Sequence, residues 1–297
     1  MISEEELNCL RKAGRAASQA LRNAIYKIHE GMPLIEICEY VENYIRSMDC
    51  EPAFPCNISI NSVAAHYTSH IEDTSVIPPK SLVKIDVGAH VSGFIADVAA
   101  TIALSDEYEP LVRAAEKALQ IAIDNIRPGV KVSILGSLIE STIKSFGFKP
   151  IRNLSGHMLK RYMLHGEKTI PNVPIESRIS IEANEVYAVE PFATNGIGLV
   201  MDSPDMYIFR YVSPRKAKKP DRDILLTLWN RFKSLPFCDR WVYDVIPHKT
   251  RSKLFELTTM GYLYGYHVLI ERSKGLVAQA EHTIIVHDDG VEVTTSF

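Results

Sequence analysis

Asp86, Asp97, His157, Glu190 and Glu281 are five ligand-type side chains, each set inside or beside an apolar run: VKIDVG, GFIADVAAT, NLSGHML, VYAVEPF and VAQAEHTIIV. A carboxylate flanked by Ile, Val and Ala is expected to be buried, and a buried ionised carboxylate is costly unless something pairs with it. Four such groups in one place would raise one another's pKa, so they call for positive charge, which two divalent cations would supply. Oxygen-rich ligation with a single imidazole suits Mn, Fe, Co or Zn in a catalytic centre better than a structural zinc, which prefers Cys and His. Paired metals about 3.5–4 Å apart can hold a bridging hydroxide and clamp a carbonyl during hydrolysis. Each residue taken singly has an ordinary reading: Asp86 could pair with a buried Lys or Arg, and a lone His is more often a surface or satisfied interior group. The joint pattern is what calls for a metal.

The elements that must position these donors are also legible. If residues 83–102 form a hairpin turning at Val91 and Ser92, His90 faces Gly93 and the same register sets Asp86 opposite Asp97, on one face of the ladder. Offsetting the chain by 98 residues superimposes two halves: VENYIRSMDCEP reads against IESTIKSFGFKP, and Ala16, Ala20, Leu21, Ile25 and Gly31 fall on Ala114, Ala118, Leu119, Ile123 and Gly129. These are helix-spaced apolar positions followed by a glycine stop, so the chain reads as two copies of a helix, helix, strand unit. With a few residues of slack, LVKIDVG aligns with VYAVEPF and FIADVAATI with AQAEHTII, which gives each half one acid from each strand of a hairpin. A long insertion, approximately residues 197 to 264, interrupts the second hairpin. Two related hairpins meeting about a pseudo-two-fold would gather all four carboxylates.

On these residues the chain resembles the methionine aminopeptidases of the type 2 class. The order Asp, Asp, His, Glu, Glu and the contexts IDVG, SGH, VEPF and AEHT match that family over nearly the whole length. The resemblance implies an α/β (α+β) pita-bread fold: pseudo-two-fold duplicated helix-helix-strand units around a central antiparallel sheet, spanning residues 1–297, with a helical insertion subdomain. It implies removal of the initiator methionine from nascent proteins and peptides by a metal-bridging hydroxide. Asp86 would chelate one metal, His157 and Glu190 the other, Asp97 and Glu281 would bridge both, and Glu190 would take the proton of the attacking water. His66, in NSVAAHYTS, resembles the histidine that contacts substrate near its N-terminus. His165, in YMLHGEK, resembles the one that hydrogen-bonds the scissile amide or the tetrahedral intermediate. Phe54, Leu164, Phe192 and Tyr266 match positions that form or border the family's methionine side-chain pocket; judged by type alone they are plain core residues. Two other readings stay open on this fold: a proline-specific peptidase of the aminopeptidase P or prolidase kind, which usually carries an extra N-terminal domain, and a non-catalytic binding homologue, which would have lost ligands that are all present here.

The remaining features bound the reading. With 297 residues, 46% of them hydrophobic, and a formal net charge of −3, the chain can bury a large core and shows no general nucleic-acid bias. Five scattered cysteines, an odd number, argue for reduced thiols in a cytoplasmic protein. Cys56 lies near the expected pocket and is a candidate reactive thiol. No run is long and apolar enough to span a membrane, and MISEEELNCLRKAG lacks the apolar core of a secretory signal. Ser3 and Glu6 spell a capping box for the first helix. The basic run RKAKKPDR in the insertion reads as a solvated loop, with weak ribosome contact as its functional alternative. NGIGL lacks the third glycine and the lysine of a nucleotide loop. RDILLTLWNRFKSLPF and RSKLFELTTMGYLYGY suggest two or more amphipathic helices in the insertion. The lack of a long charged N-terminal extension points to an archaeal-like form, and a monomer is expected.

Overall fold

In the computed structural model, which describes residues 2–215 and 217–296, Ser3 opens the first helix as its capping box requires. Ser3 Oγ accepts from the Glu6 amide and Glu6 Oε2 accepts from the Ser3 amide at 2.8 Å. The first half then runs α1 (Glu4–Ile25), α2 (Leu34–Ser47), β1 (Glu51–Pro52), β2 (Asn57–Ile60), β3 (Val63–Ala65), β4 (Leu82–Val91) and β5 (Phe94–Ala103). The second half opens with α3 (Glu109–Asn125), α4 (Val132–Ser145), β6 (Lys149–Pro150), β7 (Ser155–Leu159), β8 (Thr169–Pro171), β9 (Val186–Val189) and β10 (Phe192–Thr194). The bounds of α2 and β1 plus 98 are those of α4 and β6, so the sequence repeat is a structural one.

Between β10 and the closing strands lie β11 (Val200–Tyr211), α5 (Asp221–Phe232), β12 (Phe237–Cys238), α6 (Thr250–Thr259) and β13 (Leu263–Glu271). The two helices expected there are accompanied by strands: β11 pairs antiparallel with both β12 and β13, and β13 continues onto β3 of the first half. Phe209, Leu225, Leu228, Phe237, Leu254 and Leu257 form a separate apolar cluster under these elements. Lys216, within the basic run, lies outside the described residues. The chain closes with β14 (Val277–Gln279), β15 (His282–Val286) and β16 (Val291–Val293).

Each half buries its helices on its own strands. Ala16, Ala17, Ala20 and Leu21 of α1 pack with Ile37 and Val41 of α2 against Val83, Ile85 and Val87 of β4. Ala114, Ala115 and Ala118 of α3 pack with Leu135 and Ile139 of α4 against Tyr187, Val189 and Ile284. Small side chains on α1 and α3 let each helix lie close to its sheet, where interior packing is dense.

The hairpin register differs from the expectation by two residues. Val91 pairs with Phe94, so the turn is Ser92-Gly93, and Asp86 stands opposite Ala99 while Asp97 stands opposite Gly88. Both turn residues have positive φ, 50° at Ser92 and 88° at Gly93, as a tight primed turn demands, and only glycine adopts this without strain. A slip of two preserves the face, because side chains alternate with period two. The two carboxylates are therefore diagonal neighbours on one face.

The two halves meet strand to strand at β5. The Glu281 amide donates to Ala99 O at 3.0 Å and the Ala99 amide donates back to Glu281 O at 3.4 Å. On either side of that bridge, threonines complete the seam. Thr283 Oγ1 accepts from the Asp97 amide at 2.7 Å and donates to Asp97 O at 2.8 Å, while Thr101 Oγ1 accepts from the Gln279 amide at 2.8 Å and donates to Gln279 O at 2.6 Å.

Candidate metal centre

The five expected donors converge at this seam. In the second hairpin Val189 pairs with His282 and Phe192 with Gln279, so Glu190 and Glu281 continue that register directly opposite each other. His157, on β7, comes from the strand next to β9. Its Nε2 lies 3.5 Å from Glu190 Oε1 and 3.8 Å from Asp97 Oδ2. Ligand atoms of Asp97, His157 and Glu281 all lie within 4.8 Å of one another. Asp97, His157 and Glu281 are buried, and Asp86 and Glu190 open partly onto the cavity.

The electrostatics are those of carboxyls crowded together out of water. Burial pushes the Asp86 carboxyl up to about 7. Burial raises Asp97 well above the usual range, with the charges of Glu281 and Asp86 adding to it. Glu190 and Glu281 are raised for the same reasons, burial first and then their acidic neighbours. Burial lowers His157 to about 4. Gln279 Nε2 donates to Glu190 Oε2 at 3.3 Å and to Glu281 Oε2 at 3.0 Å, yet Asp86 Oδ1, Asp97 Oδ1 and Glu281 Oε1 are buried with no hydrogen-bond partner. Native interiors rarely leave such oxygens bare. Three orphaned carboxylate oxygens beside an imidazole nitrogen form a donor set that fits divalent cations.

Around the donors lies a cavity of about 230 Å³, lined also by Phe54, His66, Leu164, His165, Phe192 and Tyr266. The five expected donors and the six expected catalytic and pocket residues thus border one cavity. A larger one, about 480 Å³ and bordered by Ile2, Leu10, Phe94 and Lys160, contains none of the five donors. Phe54 packs so closely on Gly88 that a Cβ there would fall 2.2 Å from its ring. His66 follows β3 with φ 66°, a costly conformation for a residue with a side chain, and its Nδ1 lies 3.1 Å from His267 O. Burial lowers its pKa. His165 stands at the cavity mouth, exposed to solvent yet ringed by protein; that crowding, and then His157 with ring centroids 4.4 Å apart, holds its pKa well below the ordinary value. The Tyr266 ring borders both histidines, at 5.3 Å from His66 and 6.1 Å from His165.

The structure also adds residues and removes a candidate. Gln279 went unnoticed in the sequence, although a polar residue two positions before Glu281 in a strand shares its face. Asn57, Asn153, Ser155, Ile208 and Pro236 border the cavity as well, and their types alone carry no signal. Cys56, expected as a reactive thiol, is 1% exposed, and its interaction with Cys38 together with burial raises its pKa well above the thiol range, so it is inert. The NGIGL loop does wrap a carboxylate, but an internal one: Glu271 Oε1 accepts from the amides of Ile197 at 2.7 Å and Gly198 at 3.1 Å.

Comparisons with known proteins agree with this geometry. The model of metallopeptidase family M24 matches residues 8–288. A methionine aminopeptidase of Methanocaldococcus jannaschii is 43% identical over 285 residues, covering 96% of each chain. One of Saccharolobus solfataricus is 40% identical and covers 99% of each. The crystal structure of a methionine aminopeptidase from Thermotoga maritima superimposes with a TM-score of 0.74 at 21% identity, covering 100% of this chain and 99% of that one, a likeness of fold.

Proposed function

Since this chain belongs to metallopeptidase family M24, we infer that it is a methionine aminopeptidase, a hydrolase that removes the first methionine from peptides and nascent proteins. The observation that supports this best is the adjacency of the two halves of the site: four carboxylates and one imidazole, four of these five groups with a bare, buried polar atom, and beside them an apolar wall of Phe54, Leu164, Phe192 and Tyr266. An apolar pocket with a few fixed polar groups suits a methionine side chain carrying an ammonium.

Asp86, Asp97, His157, Glu190 and Glu281 would hold two divalent ions, the number that balances four carboxylates. Such ions, when bound, polarise a carbonyl and make water a nucleophile near neutral pH. Glu190 accepts the proton of the attacking water on its carboxylate. His165, kept neutral at the cavity mouth, stabilises the charge that builds on the carbonyl oxygen or passes a proton to the leaving nitrogen. His66 orients the N-terminal residue, and the apolar wall excludes water while it takes the methionine side chain. The segment from about 197 to 264 is read as an insertion subdomain with its own apolar core; its strand β11 brings Ile208 to the cavity, and β13, which leads out of it, brings Tyr266. Five unpaired thiols fit a cytoplasmic protein, and no helix among the described residues is long and apolar enough to cross a membrane. Of the basic run, Arg215, Lys218 and Lys219 are exposed, and Arg222 at its end lies in the first turn of α5.

Metal-reconstituted protein should cleave Met-Ala-Ser and leave an Ala-Pro peptide intact. Burying a methionine side chain contributes about 1.5–3 kcal/mol, which gives roughly tenfold discrimination or more. Preferential cleavage of Ala-Pro would overturn the reading in favour of a proline peptidase.

A further inference from the structure

The catalytic cavity does not end at Tyr266. A second cavity of about 530 Å³ shares Leu164, His165 and Tyr266 with it and extends outward past Met163, Arg210, Ser234 and Tyr264. The wall joining the two is one antiparallel ladder, in which Ile208 pairs with Tyr266 and Arg210 with Tyr264. Side chains two apart along a strand share a face, so the inner pair, which borders the metal donors, is continued outward by the outer pair. One such step advances about 7 Å, the length of two residues of extended peptide.

Arg210 is the charged group on this outer wall. Its guanidinium lies over the Tyr264 ring, 5.1 Å from the centroid, and its charge acts on the neighbouring Tyr266 hydroxyl, opposing the rise in pKa that burial imposes. Among the described residues no carboxylate pairs with it, whereas the half-buried cations Arg11, Lys168 and Lys253 have acidic partners. A guanidinium stacked on the Tyr264 ring and left without a counter-ion among the described residues offers free donors in a fork suited to a carboxylate.

We propose that this outer cavity is a subsite for the substrate chain beyond the scissile bond, and that Arg210 selects peptides bearing a carboxylate at or near their third residue. The inference rests on the aminopeptidase reading. With the methionine side chain beside Tyr266, two further residues of extended chain reach Arg210. In a tripeptide the carboxylate is the C-terminus; in a longer chain it is an Asp or Glu side chain.

The test uses metal-loaded wild type, Arg210→Gln and Arg210→Lys, each assayed on Met-Ala-Ser, Met-Ala-Ser amide and Met-Ala-Asp amide. Gln keeps a polar side chain without the charge, and Lys keeps the charge without the fork. For the wild type, kcat/KM for the free acid should exceed that for the amide about fivefold, through KM, and the ratio should shrink as salt rises. Arg210→Gln should bring the ratio to about one, and Arg210→Lys should restore part of it. A gain for Met-Ala-Asp amide over Met-Ala-Ser amide in wild type alone assigns the subsite to acidic side chains; a gain confined to the free acid assigns it to the C-terminus. Wild-type ratios near one for both the free acid and Met-Ala-Asp amide, each against Met-Ala-Ser amide, or equal ratios in wild type and Arg210→Gln, overturn the proposal. If the wild type cleaves none of the three, the aminopeptidase reading itself fails and the subsite falls with it.

Discussion

Glu42 and Arg240 are 198 residues apart in sequence and form a buried bidentate pair, with Arg240 Nη1 and Nη2 donating to Glu42 at 2.8 and 2.7 Å. The side chains are 3% and 8% exposed, so neither charge has water to fall back on. Glu42 also accepts from Trp241 Nε1 at 2.7 Å and from the Cys56 amide at 3.2 Å, which ties α2 to both the segment after β12 and the loop before β2. Arg240 in turn donates from Nε to Ser69 O at 2.6 Å and from Nη2 to Thr68 Oγ1 at 3.3 Å. Those acceptors lie two and three residues beyond His66. Removing one member of such a pair strands the other charge in the interior, which costs about 3–5 kcal/mol. At about 2.1 cal/mol/K per residue, the unfolding entropy of 297 residues is about 0.6 kcal/mol/K, so the loss should lower Tm by about 5–8 °C. Glu42→Gln, Arg240→Met and the double variant, unfolded thermally and in urea with metal present, give a double-mutant cycle whose coupling should be about 2–3 kcal/mol. KM for Met-Ala-Ser should rise in both single variants while metal content holds, because the loop that carries His66 loses its anchor. A cost below about 1 kcal/mol for either single variant would refute the reasoning, since that is the ordinary effect of a substitution with no buried charge behind it.

Three further outcomes are expected. Chelation should lower Tm and re-addition of a divalent metal restore it, with about 2.7 kcal/mol regained at a hundredfold excess over Kd; Asp97→Asn should lose metal by elemental analysis more completely than Asp86→Asn, because Asp97 lies in the tight cluster with His157 and Glu281. His165→Ala should retain its metal and lose about 10²–10³ in turnover, whereas His66→Ala should lose more through KM; loss of metal from His165→Ala would show that its imidazole is a ligand. Although burial pushes Asp73 up, hydrogen bonds from Ser69 at 2.6 Å, the Ser75 amide at 2.9 Å and Tyr67 at 2.9 Å hold its pKa below the ordinary value. A depressed carboxyl contributes stability above its unfolded pKa and loses it as pH falls through the folded one, so Asp73→Asn should be less stable than wild type at pH near 7, and the difference should close in acid.

The identities of the donors and the duplicated frame are legible from the order of residues alone. A carboxylate inside an apolar strand is a local anomaly that needs no tertiary knowledge to detect, and Asp86, Asp97, Glu190 and Glu281 each show it. Helix periodicity is likewise local, which is why α2 and α4 could be placed in the same frame 98 residues apart. Register was less secure: Ser92-Gly93 is a weaker turn signal than Asn-Gly, and a slip of two residues leaves the apolar pattern of both strands unchanged. Beyond the reach of local pattern are the contacts whose partners are distant in the chain and ordinary in type. Thr283 with Asp97, Thr101 with Gln279, Gln279 with Glu190 and Glu42 with Arg240 are separated by 186, 178, 89 and 198 residues. A threonine or glutamine in a strand has many ways to satisfy its hydrogen bonds, and nothing local selects among them. The seam at Ala99 and Glu281 makes that choice, because once two hairpins are fixed edge to edge, each polar side chain along the junction has one partner within reach.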